Sequence, residues 1–163
     1  MNNNKKFSRG VGIIEIIAAT TVAAIFFSAI YALLVFSLET MQKSVREVEA
    51  VYLAKEGIEA VRFMRNEGWS ANILPLVNGT TYYLDIVGNE WALLTVDPGP
   101  VSGVYTREVV FGEVIRDIND DINTVGAVDS GTRKLTVTVD WTDIGGDANN
   151  ITIETYMTNF LTN

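Results

Sequence analysis

The chain has 163 residues, a formal net charge of −8, and neither cysteine nor histidine. The missing residue types exclude disulfides, thiolate chemistry, Ser-His dyads and histidine-ligated metals, so we expect no enzymatic activity. The acidic balance argues against nucleic acid binding through a basic face, and we expect no nucleic acid partner.

An apolar segment runs from Val11 to Phe36, and its only ionisable side chains are Glu15 and Tyr31. It exceeds the roughly 20 apolar residues that a helix needs to cross a bilayer. It is also too long for the apolar core of a secretory signal peptide, which spans about 7 to 15 residues and ends at a small-residue cleavage site. The segment therefore predicts a membrane-spanning helix.

The charged residues on either side of this segment predict its orientation. Three basic residues precede it, Lys5, Lys6 and Arg9, and the next lysine or arginine is Lys43. By the positive-inside rule, Met1 lies in the cytoplasm and the rest of the chain outside. The sequence therefore predicts a single-pass protein of the cytoplasmic membrane with its N-terminus inside.

Glu15 is the unusual residue of the apolar segment. A carboxylate inside a bilayer costs about 2.5 to 3.5 kcal/mol on insertion scales, so a partner must neutralise it. The structural alternative is a carboxylate that reaches the membrane interface near the end of the helix. Glu15 is therefore a candidate functional residue.

Beyond Phe36 the pattern becomes that of an amphipathic helix without the sustained heptads of a coiled coil. Apolar residues recur at spacings of three and four in two series, Met41, Val45, Val48 and Tyr52, and Val51, Ala54, Ile58 and Val61. We expect one continuous helix from about Val11 to Asn66, with Gly57 as a weak point and Gly68 as the C-terminal cap.

Short β-prone segments follow Trp69, separated by glycine, proline and asparagine. They are Thr81–Ile86, Trp91–Val96, Val104–Ile115, Leu135–Trp141 and Ile151–Met157. The last two alternate apolar and polar residues, with Leu135, Val137, Val139 and Trp141 facing inward, and the loop 143–147 joins them as an antiparallel hairpin. We expect a sheet of about four or five strands that covers the apolar stripe of the helix.

Together these elements predict an α+β fold. A long N-terminal α-helical stalk, membrane-spanning in its first half, packs on a small antiparallel β-sheet head.

The stretch Gly10-Val11-Gly12-Ile13-Ile14-Glu15 resembles the type IV prepilin signature, although Val11 and Gly12 stand where phenylalanine and threonine are usual. The resemblance implies that prepilin peptidase cuts between Gly10 and Val11 and that Val11 is N-methylated. It also implies that Glu15 pairs with the free amino terminus of a neighbouring subunit during assembly.

The same resemblance divides the chain into four regions. They are a prepilin leader at 1–10, a transmembrane and filament-core half of the helix at 11–36, an amphipathic half at 37–68, and an antiparallel β head at 69–163.

Two further stretches, "LAKEGIEAVRFMRNEGW" at 53–69 and "RKLTVTVDWTDIGGDANNITIETYMTNF" at 133–160, are similar to V-type minor pilins and to I-type pseudopilins of type II secretion. This resemblance implies a structural, minor subunit of a type IV pilus or pseudopilus. A major subunit stays open, as does the choice among pilus, competence and secretion systems.

The implied partners are prepilin peptidase, other pilin or pseudopilin subunits, an inner-membrane assembly platform, and the lipid bilayer before assembly. The implied location is the cytoplasmic membrane and then an extracellular or periplasmic filament. The alternative is a single-pass, membrane-anchored exported domain, binding or enzymatic, that is not assembled into a filament and keeps residues 1–10.

Asp117, Asn119 and Asp121 are candidate metal ligands, because they place oxygen atoms at alternate positions as a calcium loop does. Ile122 and Val128 replace the glycine and the bidentate glutamate of an EF-hand, so a solvated, turn-rich loop without a metal is the favoured interpretation. A second set of oxygen donors is Asp143, Asp147 and Asn149. We expect no cofactor, and calcium is the alternative that these residues suggest.

Two surfaces are further candidates. Tyr82, Tyr83 and Tyr105 suggest an adhesive surface, with packing between strands as the favoured alternative. A small basic patch of the kind that a DNA-uptake pilin needs would comprise Arg107, Arg116, Arg133 and Lys134, although the acidic head disfavours it.

Overall fold

The computed structural model describes residues 12–160, in which one long helix precedes an antiparallel sheet. The helices are α1, Ile13–Glu67, and a π-helical turn, Trp69–Ile73. The strands are β1, Thr81–Val87; β2, Glu90–Leu94; β3, Tyr105–Arg116; β4, Ile122–Asn123; β5, Ala127–Thr142; and β6, Ala148–Thr158. The predicted α+β class is confirmed. The chain divides into two compact units between Gln42 and Lys43.

In the first unit, α1 is long and apolar enough to cross a membrane, and none of its most apolar window is buried within the protein. Three of its hydroxyl side chains donate to carbonyl groups of the helix itself. The hydroxyls of Thr20 and Thr21 donate to the carbonyl of Ile17, and that of Ser28 donates to the carbonyl of Ile25. Because these bonds need no water, the helix surface suits an apolar environment.

In the second unit, the sheet has the strand order β2-β1-β3-β5-β6, and all its pairs are antiparallel. The predicted hairpin is the β5–β6 pair, in which Val137 lies opposite Ile153. The sixth strand is the two-residue β4, which pairs with the end of β3. It was not predicted because it lies within the turn-rich stretch 117–123, which lacks a β-prone pattern.

The core lies between the sheet and one face of α1. Five of the buried residues of α1 on this face, here called the inner stripe, are Ala50, Ala54, Gly57, Ile58 and Val61. They face buried residues of the two central strands, among them Val109, Phe111, Leu135, Val137 and Val139. The predicted inward alternation of β5 is therefore confirmed. Burial of these side chains stabilises the head at about 25 cal/mol per Å² of apolar surface.

The sheet does not cover the series that begins at Met41, and this part of the prediction is wrong. Val45, Val48 and Tyr52, here called the outer stripe, are 48%, 53% and 67% exposed, and Met41 in the first unit is also exposed. Helical geometry places the two stripes on nearly opposite sides of α1, so one sheet covers only one of them. The inner stripe consists mostly of small residues, which let the sheet approach the helix closely.

Gly57 explains this close approach. A methyl group built on Gly57 would lie 3.0 Å from Cγ1 of Val137 and 3.3 Å from Cδ of Arg107. The glycine that the sequence marked as a weak point of the helix is therefore a packing contact.

The helix stops after Glu67, close to the predicted end, and Gly68 follows it directly at the predicted cap position. Its φ is 170°, which is extended backbone, and its N–H donates to the carbonyl of Met64. The side-chain amide of Asn72 donates to the same carbonyl at 2.9 Å. The π-helical turn, which the buried Trp69 and Ile73 hold in place, thus supplies a hydrogen-bond donor to a carbonyl group in the last turn of α1.

Candidate functional site

Glu15 lies in the first turn of α1, where its N–H donates to the carbonyl of Gly12. Its side chain is exposed, and none of the ion pairs within residues 12–160 involves it. It shares one face of the helix with a shallow apolar groove lined by Ala18, Ala19, Val22, Ala23 and Phe26. The carboxylate is therefore carried on an apolar face and is not neutralised within the described part of the chain.

Gly10 and Val11, the predicted cleavage and N-methylation positions, lie outside the described residues. Both modifications stay predictions.

The candidate calcium loop is closed by its own hydrogen bonds. One oxygen of Asp117 accepts the N–H groups of Asn119 at 2.8 Å and Asp121 at 3.1 Å, and the other accepts the side-chain amide of Asn123 at 3.2 Å. The N–H of Asn119, the amide of Asn123 and the N–H of Asp121 lower the pKa of the Asp117 carboxyl below its ordinary value.

These bonds explain the alternating Asp and Asn residues, because the residues close a turn among themselves without a cation. Residues 12–160 contain no group of three or more acidic, cysteine or histidine side chains arranged to hold a metal. Calcium binding stays the untested alternative.

Two residues of the second set, Asp143 and Asp147, converge on a lysine that the sequence did not connect with them. Lys43 Nζ lies 3.0 Å from Oδ2 of Asp143 and 3.6 Å from Oδ2 of Asp147. The oxygen Oδ1 of Asp143 accepts the N–H groups of Gly145 and Asp147. We call Lys43, Asp143 and Asp147 the clasp, because they join α1 to the β5–β6 loop.

Hydrogen bonding within the clasp changes the titration of its members. The hydrogen bond from Lys43 is the largest cause that lowers the pKa of Asp143, and the N–H groups of the loop add to it. The same hydrogen bond is the largest cause that raises the pKa of Lys43. Both shifts favour the charged pair. The only sequence signal for this site is a pair of aspartates on either side of a glycine loop.

Two more contacts hold the same part of α1 on the sheet. Arg46 Nη1 donates to the carbonyl of Thr142 at 2.6 Å, and the hydroxyl of Tyr105 donates to Oε2 of Glu49 at 2.6 Å. Burial first, and then the bond to Glu49, raises the pKa of Tyr105 to about 12. Tyr82 and Tyr105 are buried, so the packing alternative is confirmed for them, and Tyr83 is half-buried.

The proposed basic patch does not form an open surface. Arg107 is buried beneath α1 and donates to Glu56 at 2.7 Å. Arg116 lies 2.7 Å from Asp129, and Lys134 lies 2.7 Å from Glu154. Arg133 donates to the side chain of Asn78. The four cations are therefore engaged within the head.

Comparisons of the chain with protein-family models, with curated proteins and with solved structures each found no match.

Proposed function

We propose that the protein is a structural subunit, of the minor type, of a type IV pilus or a related pseudopilus. The observation that carries this proposal is the difference between the first and second parts of α1. The part of α1 up to Phe36 is apolar and exposed, and its one carboxylate is Glu15. The later part of α1 packs against the antiparallel sheet through the inner stripe. A stalk of this kind inserts into a membrane first and then packs among other stalks.

Glu15 is evidence for an assembled subunit and against a simple membrane anchor. A membrane anchor gains nothing from a carboxylate on an apolar face, because the charge only makes insertion less favourable. In a filament, the amino terminus that cleavage creates at Val11 supplies a cation for the Glu15 carboxylate of a neighbouring subunit. Loss of one member of such a buried pair leaves the other unpaired, at a cost of about 3 to 5 kcal/mol. The pair therefore fixes the stagger between subunits.

The exposed outer stripe is further support for packing of the stalk among other subunits. Val45, Val48 and Tyr52 are apolar side chains exposed on the second part of α1, opposite the sheet. An isolated anchored domain would carry polar residues at these positions, whereas a subunit packed among others buries them.

The alternative function, a single-pass anchored domain that is not assembled, requires that residues 1–10 stay on the protein. The proposed localisation, with the N-terminus in the cytoplasm and the head outside before assembly, is shared by both functions. Processing therefore separates them.

The test is the intact mass and N-terminal sequence of the full chain recovered from membranes of cells with an active prepilin peptidase. We expect a chain that begins with N-methylated Val11. Gly10→Val should keep the leader, and Gly12→Ala is the matched control that should still be processed. A wild-type chain that keeps Met1 under these conditions contradicts the proposal and favours the anchored domain.

A further inference from the structure

The two edge strands of the sheet differ in how well they are protected from pairing with another chain. β2 has 5 residues and is soon followed by Asp97-Pro98-Gly99-Pro100, and short length and nearby prolines are common ways to protect an edge. β6 has 11 residues, contains no proline, lysine or arginine, and keeps one register with β5 from end to end. Among residues 12–160 it pairs only with β5, so its other edge is open.

The hydrogen bonds at the two ends of the β5–β6 ladder show which backbone groups of β6 are unused. The N–H of Asp143 donates to the carbonyl of Asp147 at 2.9 Å, and the N–H of Asn159 donates to the carbonyl of Gly131 at 2.8 Å. Because hydrogen-bonded and non-hydrogen-bonded pairs alternate in an antiparallel ladder, the odd-numbered residues of β6 bond to β5. The backbone groups of the even-numbered residues point away from β5, and we call these residues the free edge: Ala148, Asn150, Thr152, Glu154, Tyr156 and Thr158.

The two faces of β6 restrict which strand can join the free edge. The even-numbered side chains are exposed on the outer face, and Glu154 is the one charged residue among them. On the inner face, Ile151 and Ile153 are half-buried and pack against the core. Neighbouring residues of antiparallel strands project to the same face, so an added strand should be apolar beside Ile151 and Ile153 and basic opposite Glu154.

A second copy of the chain does not meet these requirements. If β6 paired antiparallel with β6 of another copy, the full-length register would place the two Glu154 carboxylates diagonally next to each other. A shift of two residues toward Thr158 would place them directly opposite, which is destabilising. The β2 strand of another copy has only 5 residues and would leave more than half of the free edge unpaired.

We propose that the free edge of β6 is the docking site for an extended segment of a different protein, which adds to the sheet as a further antiparallel strand. Main-chain hydrogen bonds to the even-numbered residues hold the segment. Its apolar side chains lie beside Ile151 and Ile153, and its lysine or arginine lies opposite Glu154. The free edge exists whether or not the chain is assembled into a filament, so this proposal does not depend on cleavage after Gly10.

The test uses the isotopically labelled full chain in detergent and a peptide of the sequence Thr-Val-Thr-Val-Lys-Val-Thr-Val-Thr. The peptide places its valines beside the inner face and its lysine opposite Glu154. In the first probe the valine amides are N-methylated, which prevents the peptide from pairing with itself because these amides face away from β6. In the matched negative probe the threonine and lysine amides, which face β6, are N-methylated instead.

Binding is followed by NMR titration and by amide hydrogen exchange. We expect the first probe to bind with a Kd of about 1 mM or tighter, and the negative probe to bind at least about 10-fold more weakly. Exchange should slow at Thr152, Glu154 and Tyr156, because their N–H groups gain acceptors. It should change little at Ile151 and Ile153, whose N–H groups already bond to β5.

Charge at Glu154 supplies a second readout. Glutamate in place of the peptide lysine should weaken binding to wild type about 5-fold, as expected for a like-charge pair between strands. In Glu154→Gln this preference should disappear or reverse, because Lys134, which lies 2.7 Å from Glu154, then lacks its carboxylate. Glu90→Gln, at an exposed position of β2, is the control and should keep the wild-type preference.

Thr152→Pro tests the backbone of the free edge directly. It removes one outward N–H and no hydrogen bond to β5, so the strand should be kept and binding of the first probe should weaken at least about 5-fold. Because Glu154→Gln changes only a side chain on the exposed face, it tests the site even if Thr152→Pro impairs folding.

Four outcomes would overturn the proposal. They are no binding of the first probe below about 10 mM; equal binding of the two N-methylated probes; the same preference for lysine in wild type and Glu154→Gln; and slow exchange at the free edge without peptide that increases with protein concentration, which would mean that a second copy occupies the edge.

Discussion

Gly57 of α1 lies directly against Val137 of β5, so that a methyl group on Gly57 would be only 3.0 Å from Cγ1 of Val137. This contact joins the centre of the inner stripe to the centre of the sheet. It sets how closely the stalk and the head approach each other within the second unit.

Gly57→Ala is expected to destabilise the head although alanine is the better helix former. Alanine gains about 1 kcal/mol of helix propensity, but overpacking of a tight core contact costs about 1 to 3 kcal/mol, because Val137 and Arg107 must both move. Chemical unfolding of the full chain in detergent measures the difference. Lys55→Ala, at an exposed position of the same helix, is the matched control. A rise in stability of about 1 kcal/mol for Gly57→Ala would show that the contact has room to relax.

The two stripes of α1 should differ in their response to the same substitution. Val61 is fully buried and Val48 is 53% exposed. Val61→Ala removes buried methyl groups and leaves a cavity, at a cost of about 2 kcal/mol, whereas Val48→Ala should stay within about 0.5 kcal/mol of wild type. Unfolding of the unassembled chain is the measurement. Equal losses for both variants would mean that the outer stripe is covered within the monomer.

The clasp should make stability depend on pH in the acidic range. The pKa of Asp143 is lowered in the folded protein, so its contribution is complete above the ordinary aspartate pKa of about 3.9 and is lost as the pH falls through the lower folded value. Asp117, Asp129 and Glu154 also have lowered pKa values and act in the same range. The informative quantity is therefore the difference between wild type and Asp143→Asn.

That difference should be constant near neutral pH and shrink as the pH falls below about 4. The measurement is the denaturant midpoint from pH 7 to the lowest pH at which the protein folds. Asp140→Asn, at a half-buried position of β5 outside the clasp, should follow the wild-type curve. If the difference did not change with pH, the charge of Asp143 would not be the cause of its stabilising effect, and the prediction would be contradicted.

Glu15→Gln tests the assembly role that follows from the proposed function. Processing and membrane insertion should be unchanged, because the amide is easier to insert than the carboxylate. Incorporation into filaments should fall more than about 100-fold, since an unpaired buried amino terminus costs about 3 to 5 kcal/mol. Filaments sheared from cells and the membrane fraction are compared by immunoblot. Glu39→Gln, at an exposed position further along α1, is the control, and normal incorporation of Glu15→Gln would contradict the pairing.

Periodicity in the sequence predicted the parts of the fold that depend on local pattern. The spacing of Ala54, Ile58 and Val61 predicts the face of α1 that is buried, and the alternation from Leu135 to Trp141 predicts the face of β5 that meets it. The spacing did not indicate which of two apolar stripes the sheet covers, because both have helical periodicity. That choice depends on side-chain size, through Ala50, Ala54 and Gly57, and on the partner strand.

The remaining features depend on contacts between distant residues. Nothing near Lys43 in the sequence indicates Asp143, and nothing near Glu56 indicates Arg107. The π-helical turn after Gly68 was not predicted for a related reason, since it depends on the burial of Trp69 and Ile73 against the rest of the head. Glu15 stands out in the sequence because its charge contrasts with its immediate neighbours, and its role in assembly stays a prediction.

The attachment of α1 to the β5–β6 hairpin has a consequence for the order of folding. Arg46 and Thr142 are hydrogen-bonded although 96 residues separate them in the chain. Because synthesis proceeds from the N-terminus, the inner stripe is made long before the strands that cover it, and closing such a long loop is slow. The nascent helix therefore presents both apolar stripes, on two opposite sides, until the last hairpin is complete, so chains truncated before β6 should be the ones that chaperones and proteases capture.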